Sequence, residues 1–302
     1  MPFGFTQRSD VEKQVRRIAT EQIDKAVKQC RGFDDFDKTV HGLRRRCKKL
    51  RGLLRLIEPR FKGFEAENRA VRDAADGLAG TRDAAVMIET LDALLRFDRE
   101  GNRIPRIGMP LADAVSGLLE SQVASLPDGD ARQQLLAEFG RVMEQVGDRA
   151  KDWSIGRGGF ASLARGLERT YRGMAEGMGT AVVEGTAEAM HDWRKQTKYH
   201  WHHVSLLSRA APELLEGPKG LLDQLGELLG DHHNLHVLDE RLAEERGRFD
   251  EGGTEAVRGV IGERQAALAE RAFALGRQLT VEKPGALRRR FEHYWQLLPS
   301  KA

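Results

Sequence analysis

The sequence predicts an all-α protein of two tandem helical bundles related by an internal pseudo-twofold, and three observations predict it. Leu, Ala, Glu and Arg dominate, with three Tyr and 31% charged residues among 302, a composition of good helix formers. Apolar residues recur at helical spacing and no alternating strand pattern survives, which excludes Rossmann, P-loop and α/β-hydrolase organisation. Finally, a histidine followed by a run of cations occurs twice, 150 residues apart. The first copy is Val40-His41-Gly42-Leu43-Arg44-Arg45-Arg46-Cys47-Lys48-Lys49-Leu50-Arg51; the second is Met190-His191-Asp192-Trp193-Arg194-Lys195-Gln196-Thr197-Lys198-Tyr199-His200-Trp201-His202-His203. A chain of this length buries one large core or two of about 150 residues each.

The elements follow in order. Ser9-Asp10-Val11-Glu12 reads as a capping box opening a helix to about Cys30, with Val11, Val15, Ile18, Ala26 and Val27 on one side. The first repeat helix spans about 36–57 and stops before Pro59. Helical patterns continue over 61–78, 82–99, 111–125 and 130–150. Trp153 to Gly159 then breaks the periodicity, so the expected division is an N-terminal half, 1–152, and a C-terminal half, 160–302. The second series covers 160–177, 181–209, 213–229, 231–247, 254–279 and 285–298. The duplication reaches further, because the segment from Leu78 to Met87 aligns with that from Leu229 to Leu238 at an offset of 151.

Net charge is only +3, so this is not a globally basic coat for nucleic acid. The charge is segregated instead. Ala211 to Glu255 holds 12 acids against four Arg/Lys, whereas Thr39 to Ile57 holds seven Arg/Lys and no acid. Cys30 and Cys47 lie in helical patterns without a CxxC spacing and read as reduced, buried thiols. No apolar stretch reaches 18 residues, and the opening MPFGFTQRSD lacks a signal-peptide core. The chain therefore reads as soluble and cytoplasmic.

On a helical wheel His41, Arg44, Arg45, Lys48, Arg51 and Arg55 fall within about 120°, opposite Leu43, Leu50, Leu53, Leu54 and Ile57. His191, Arg194, Lys195, Lys198 and His202 share the equivalent stripe in the second copy, with Trp193, Val204 and Leu207 on the apolar side. Successive turns rise about 5.4 Å, so each stripe is a ladder of donors suited to a linear polyanion. The first repeat helix contains six like-charged pairs at i,i+3 or i,i+4. Together they cost about 1–3 kcal/mol unless an anion lies opposite. That anion is either a ligand or the protein's own acidic stretch at 213–255. His200 and His203 fall nearer the apolar face and read as satisfied buried histidines. Asp231 reads as an N-cap beside His232 and His233, although His232 and His236 have the i,i+4 spacing of a metal pair.

Five segments in order carry a family resemblance: V-H-G-L-R-R-R-C-K-K-L-R at 40–51, E-N-R-A-V-R-D-A at 67–74, T-R-D-A-A-V-M-I-E-T-L at 81–91, M-H-D-W-R-K-Q-T-K-Y-H-W-H-H at 190–203 and L-G-E-L-L-G-D-H-H-N-L-H-V-L at 225–238. The chain resembles the CHAD family, the conserved histidine α-helical domain, over nearly its whole length. The resemblance implies two four-helix-bundle-like halves whose basic helices face a central groove or pore. It also implies binding of inorganic polyphosphate, often at polyphosphate granules, without catalysis by the domain. The matching positions are His41, Arg44, Arg45, Lys48, Arg51 and Arg55 in the first motif and His191, Arg194, Lys195 and Lys198 in the second. Arg72 and Arg82 also fall within family motifs. Tyr199 and Trp201 stand where many members have cations, which implies a less cationic second half-site. Roughly 35 residues precede the first motif, and Glu65 to Arg69 lies in a helical pattern rather than a strand. The chain thus looks like a stand-alone member without a fused CYTH domain.

Two other functions compete. A metal-dependent HD-type phosphohydrolase would use His41, His191, Asp192 and a later Asp, yet Asp192 points about 100° from His191 on a regular helix and no second carboxylate is compellingly placed. A nucleic-acid binder would need a helix-turn-helix, RNP or zinc-finger signature, and none is present. Non-catalytic polyphosphate binding is the leading expectation.

Overall fold

The computed structural model describes residues 3–32, 35–78, 80–102, 104–124, 129–156, 158–245, 247 and 251–300, apart from the side chains of 80–84, 122–124 and 251. The described residues form α-helices and two short 3-10 turns, with no strand. Helices α1 (Val11–Arg31), α2 (Phe36–Ile57), α3 (Phe64–Asp76) and α6 (Gly129–Ala150) close a packing cycle, α1 and α3 each touching both α2 and α6. A second cycle joins α7 (Ala161–Glu184), α8 (Ala187–Leu207), α9 (Pro212–Glu244) and α10 (Glu251–Leu279). Helix α4 (Gly80–Gly101) pairs with α5 (Met109–Ala124) and also reaches α2, α9 and α10, while α11 (Pro284–Gln296) rests on α7.

The repeat is visible in where elements begin and end. Helices α1 and α7 start at 11 and 161. Helices α2 and α8 end at Ile57 and Leu207, each followed at once by a 3-10 turn, Glu58–Arg60 and Ser208–Ala210. All these pairs differ by 150. The cycles are nonetheless not independent, since α4 packs on helices of the second. The N-terminal segment also crosses over: the Phe5 N–H donates to the Leu206 carbonyl (2.9 Å), that of Arg8 to the Pro299 carbonyl (3.0 Å), and the Phe5 ring meets Trp295. One apolar core runs through both cycles.

Three local expectations change. The capping box does not define the start of α1: Asp10 is the N-cap, in left-handed geometry (φ 52°) without a side-chain cap bond. The Glu12 carboxylate instead accepts the N–H groups of Ile155 (2.9 Å) and Gly156 (3.2 Å) and the Ser154 hydroxyl, tying the inter-half segment to α1. Those bonds, led by the one from Ile155, hold its acid below the usual carboxylate range. Helix α7 does not break near 178–180 but continues to Glu184, where Gly185 (φ 61°) ends it with an N–H bond to Ala181. Its internal Gly177 is a contact point, because a β-carbon there would lie 3.2 Å from Trp193 Cα. Finally, the separate helices expected at 213–229 and 231–247 are replaced by one continuous helix, α9, ending at Glu244, so Asp231 is mid-helix and not an N-cap.

Candidate functional site

The repeat helices α2 and α8 cross where α2 has no side chain. A β-carbon on Gly52 would stand 2.6 Å from His202 Cβ, and these two residues are equivalent at the 150-residue offset. His203 fastens the crossing: its Nε2 lies 3.0 Å from the Gly52 carbonyl and its Nδ1 2.9 Å from the Thr170 hydroxyl. A carbonyl only accepts, so Nε2 carries the proton and donates. His200 Nδ1 lies 3.5 Å from the same hydroxyl. Both rings are buried, as their side of the wheel leads one to expect.

Four cations gather beside this crossing, two from each helix. Burial pushes the Lys48 ammonium down to about 8, and the added repulsions come from Arg194, Arg44 and Lys198. Lys48 is open to solvent, yet protein atoms crowd the recess in which it stands. Arg44 Nη1 and Arg194 Nε are buried without a hydrogen-bond partner, as is Arg55 Nε. Burial also lowers the Arg194 guanidinium, partly offset by Asp231. Helix α9 makes room for the second pair through its glycines. A β-carbon at Gly226 would meet the Lys198 side chain at 2.5 Å, and one at Gly230 would touch Arg194 at 3.5 Å.

Farther along α2, Arg51 is held in place by neutral partners, donating to Asn68 Oδ1 and to the Tyr199 hydroxyl, each at 3.1 Å. Arg55 lies between the rings of Phe64 and Tyr199 and pairs with Glu58 at 3.1 Å. Arg51 and Arg55 open onto a cleft of about 790 Å³ between α7 and α8, which Lys195, Glu176, Glu184 and Asp192 also line. Arg45 and Lys195 are exposed, and Lys195 pairs with Asp192. Lys198 meets Asp223 of α9 at 3.2 Å and lies over the Trp201 ring. The protein's own acids therefore neutralise part of the ladder, Asp223 coming from the acidic stretch, but among the described residues no ion pair engages Arg44 or Lys48.

The histidines separate. His41 is exposed near the start of α2. His191 is half-buried with its ring 4.3 Å from that of His233, and burial holds both below the usual imidazole value, His233 to about 4. His191 Nδ1 has no partner. His202 departs from the expectation that it lies on the polar stripe. It is buried at the crossing against Gly52 and Phe3, and burial with the nearby Lys198, Lys49 and Lys48 pushes it to about 3. The wheel misplaced it because α8 is covered by α2 there. His236 faces Glu240 at 3.4 Å, and no group of three metal-ligating side chains occurs among the described residues. Arg72 pairs with Asp73 and Asp76; the Arg82 side chain lies outside the described residues.

Sequence reasoning missed the supports: Asn68, Tyr199, Phe64, Gly226, Gly230 and His233. A signal existed for some, since Asn68 and the α9 glycines fall inside the motif segments. The comparison with curated proteins found no match. Among solved structures, PptA from Streptomyces chartreusis aligns with a TM-score of 0.60 over 92% of this chain and 100% of that chain. At 14% identity the likeness is one of fold. The CHAD domain model matches residues 17–243, a span that contains both repeat helices and the glycines of α9. The chain belongs to the CHAD family.

Proposed function

We propose that this protein binds inorganic polyphosphate without transforming it, through α2 and α8, and that the binding holds it at polyphosphate granules. One observation carries the reading: Lys48 is repelled by Arg44, Arg194 and Lys198 beside the helix crossing while buried guanidinium donors of Arg44 and Arg194 lack partners. Such an arrangement is unfavourable in the empty protein and becomes favourable when an anion enters. A phosphoanhydride chain fits because its negative charges repeat linearly, as do the helix turns. Arg44 and Arg194 offer forked donors, and Lys48 and Lys198 offer point charges. Arg51, braced by Asn68 and Tyr199, extends the track with Arg55. Arg45, Lys195 and His41 add reach at the exposed edge. The half-buried His191 is neutral near pH 7 and acts as a hydrogen-bonding group rather than a charge.

The hydrolase alternative gains nothing from the geometry, because Asp192 is engaged by Lys195. The test is titration of the wild type and of an Arg44→Glu/Lys48→Glu variant with long-chain polyphosphate, alongside an assay for released phosphate. A loss of tenfold or more is expected, about 1.4 kcal/mol or greater. Unchanged affinity at moderate salt sinks the proposal.

A further inference from the structure

A second group of cations continues around α2, on the side away from Arg44 and beside α1. Arg46 Nε donates to Gln29 of α1 at 2.6 Å, and Gln29 also covers Gly42, where a β-carbon would lie 2.7 Å from its Nε2. Lys25 stands one turn before Gln29 on α1. The Lys49 ammonium lies over the Phe3 ring at 5.0 Å. Arg46 and Lys49 therefore hold their places through a neutral amide and a ring, not through carboxylates. Among the described residues no ion pair engages Lys25, Arg45, Arg46 or Lys49. Burial lowers Lys49, and the charges that add to the effect are Arg45, Arg46 and Lys25, all cations. Lys49 thus stands among like charges as Lys48 does at the crossing. The second half has no counterpart, because the positions equivalent to Arg46 and Lys49 are Gln196 and Tyr199.

We infer that Lys25, Arg46 and Lys49, joined to the crossing by Arg45, form a second anion-binding face that takes the continuation of a phosphoanhydride chain around α2. The inference rests on the proposed polyphosphate binding and adds to it a preference for chain length. A short anion occupies the crossing alone. A long chain engages both faces, with the second contact made intramolecular by the first. Since only α2 carries the extra face, a bound chain leaves the crossing on the α1 side.

The experiment compares tripolyphosphate with long-chain polyphosphate on the wild type and on Lys25→Glu/Arg46→Glu/Lys49→Glu, with the Gln triple variant as a milder substitute and thermal melting as a check of folding. The expected result is a loss of about tenfold or more for the long chain, with the slope of log affinity against log salt shallower by about 2, and tripolyphosphate binding retained. Unchanged long-chain affinity in both folded variants overturns the inference, as does an equal loss for both lengths. Loss of poly-glutamate binding with long-chain binding intact also overturns it, in favour of an acidic protein partner. Failure of the wild type to bind polyphosphate of either length removes the function proposed above and this inference with it. Retained wild-type binding with unaffected triple variants removes the inference alone.

Discussion

Lys48 has a lowered pKa, about 8 against an ordinary 10.5, so the folded empty protein holds that proton less tightly than the unfolded chain does. Its contribution therefore destabilises the fold below pH 8, and the penalty fades as pH rises from 8 towards 10.5. A bound anion works the other way by favouring the ammonium. Polyphosphate affinity should hold below pH 8 and weaken as pH climbs beyond it, measured at constant ionic strength; a Lys48→Arg variant should flatten the profile. Lys48→Met tests the same conflict from the stability side. It removes like-charged neighbours at Arg44, Arg45 and Arg51, so the empty protein should gain about 1 kcal/mol in denaturant unfolding while losing polyphosphate affinity. A loss of stability would show that attractions, not repulsions, dominate at Lys48 in the folded protein. These charges were legible as a ladder in the sequence. That four of them converge was not, because periodicity places a residue on a helix face without saying what the face meets.

At the scale of elements, contacts at glycine decide the arrangement. Gly52 lets α2 rest on α8, and Gly166 lets α7 rest on α2, where a β-carbon would lie 1.9 Å from the Leu56 carbonyl oxygen. Gly52→Ala should cost about 1–3 kcal/mol by overpacking and should weaken polyphosphate binding by separating the ladders. Gly166→Ala should cost more, since a backbone carbonyl cannot swing aside as a side-chain tip does. Gly226→Ala is the contrast, meeting only the flexible end of Lys198. It should leave the melting temperature nearly unchanged or raised, because alanine favours a helix by about 1 kcal/mol. Helix spans followed well from apolar periodicity and from Pro59. The breaks expected at 178–180 and at Gly230 did not occur, since α7 and α9 run through them, with Gly230 set against the Arg194 side chain.

At the scale of the molecule, His200, His202 and His203 are buried together where α2, α7 and α8 meet. Burial holds His200 and His202 at about 3, well under the ordinary 6.5, and His203 lies well below it too. For a base with a depressed folded value, the unfolded chain takes up protons first on acidification. Stability from these three rings is therefore intact above pH 6.5 and declines as pH falls from there towards 3. The melting temperature should drop over that interval, and His200→Phe should reduce the slope. A flat profile between pH 6.5 and 4 would show that the rings reach water. Salt offers the companion measurement for binding, where affinity should fall linearly on logarithmic axes as counterions are released.

The sequence by itself determined the helical class, the duplication, the two cationic stripes and the burial of His200 and His203. Each of these follows from spacing along one helix or from likeness between two segments. Only the tertiary structure decided that the stripes meet at Gly52 and His202, that His202 belongs to the packing, and that Asp223 and Glu58 neutralise part of the ladder while Lys48 is left among cations. The reason is physical: whether a charged side chain is stabilised or repelled depends on what lies within a few ångströms of it, and those neighbours come from helices far apart in the chain.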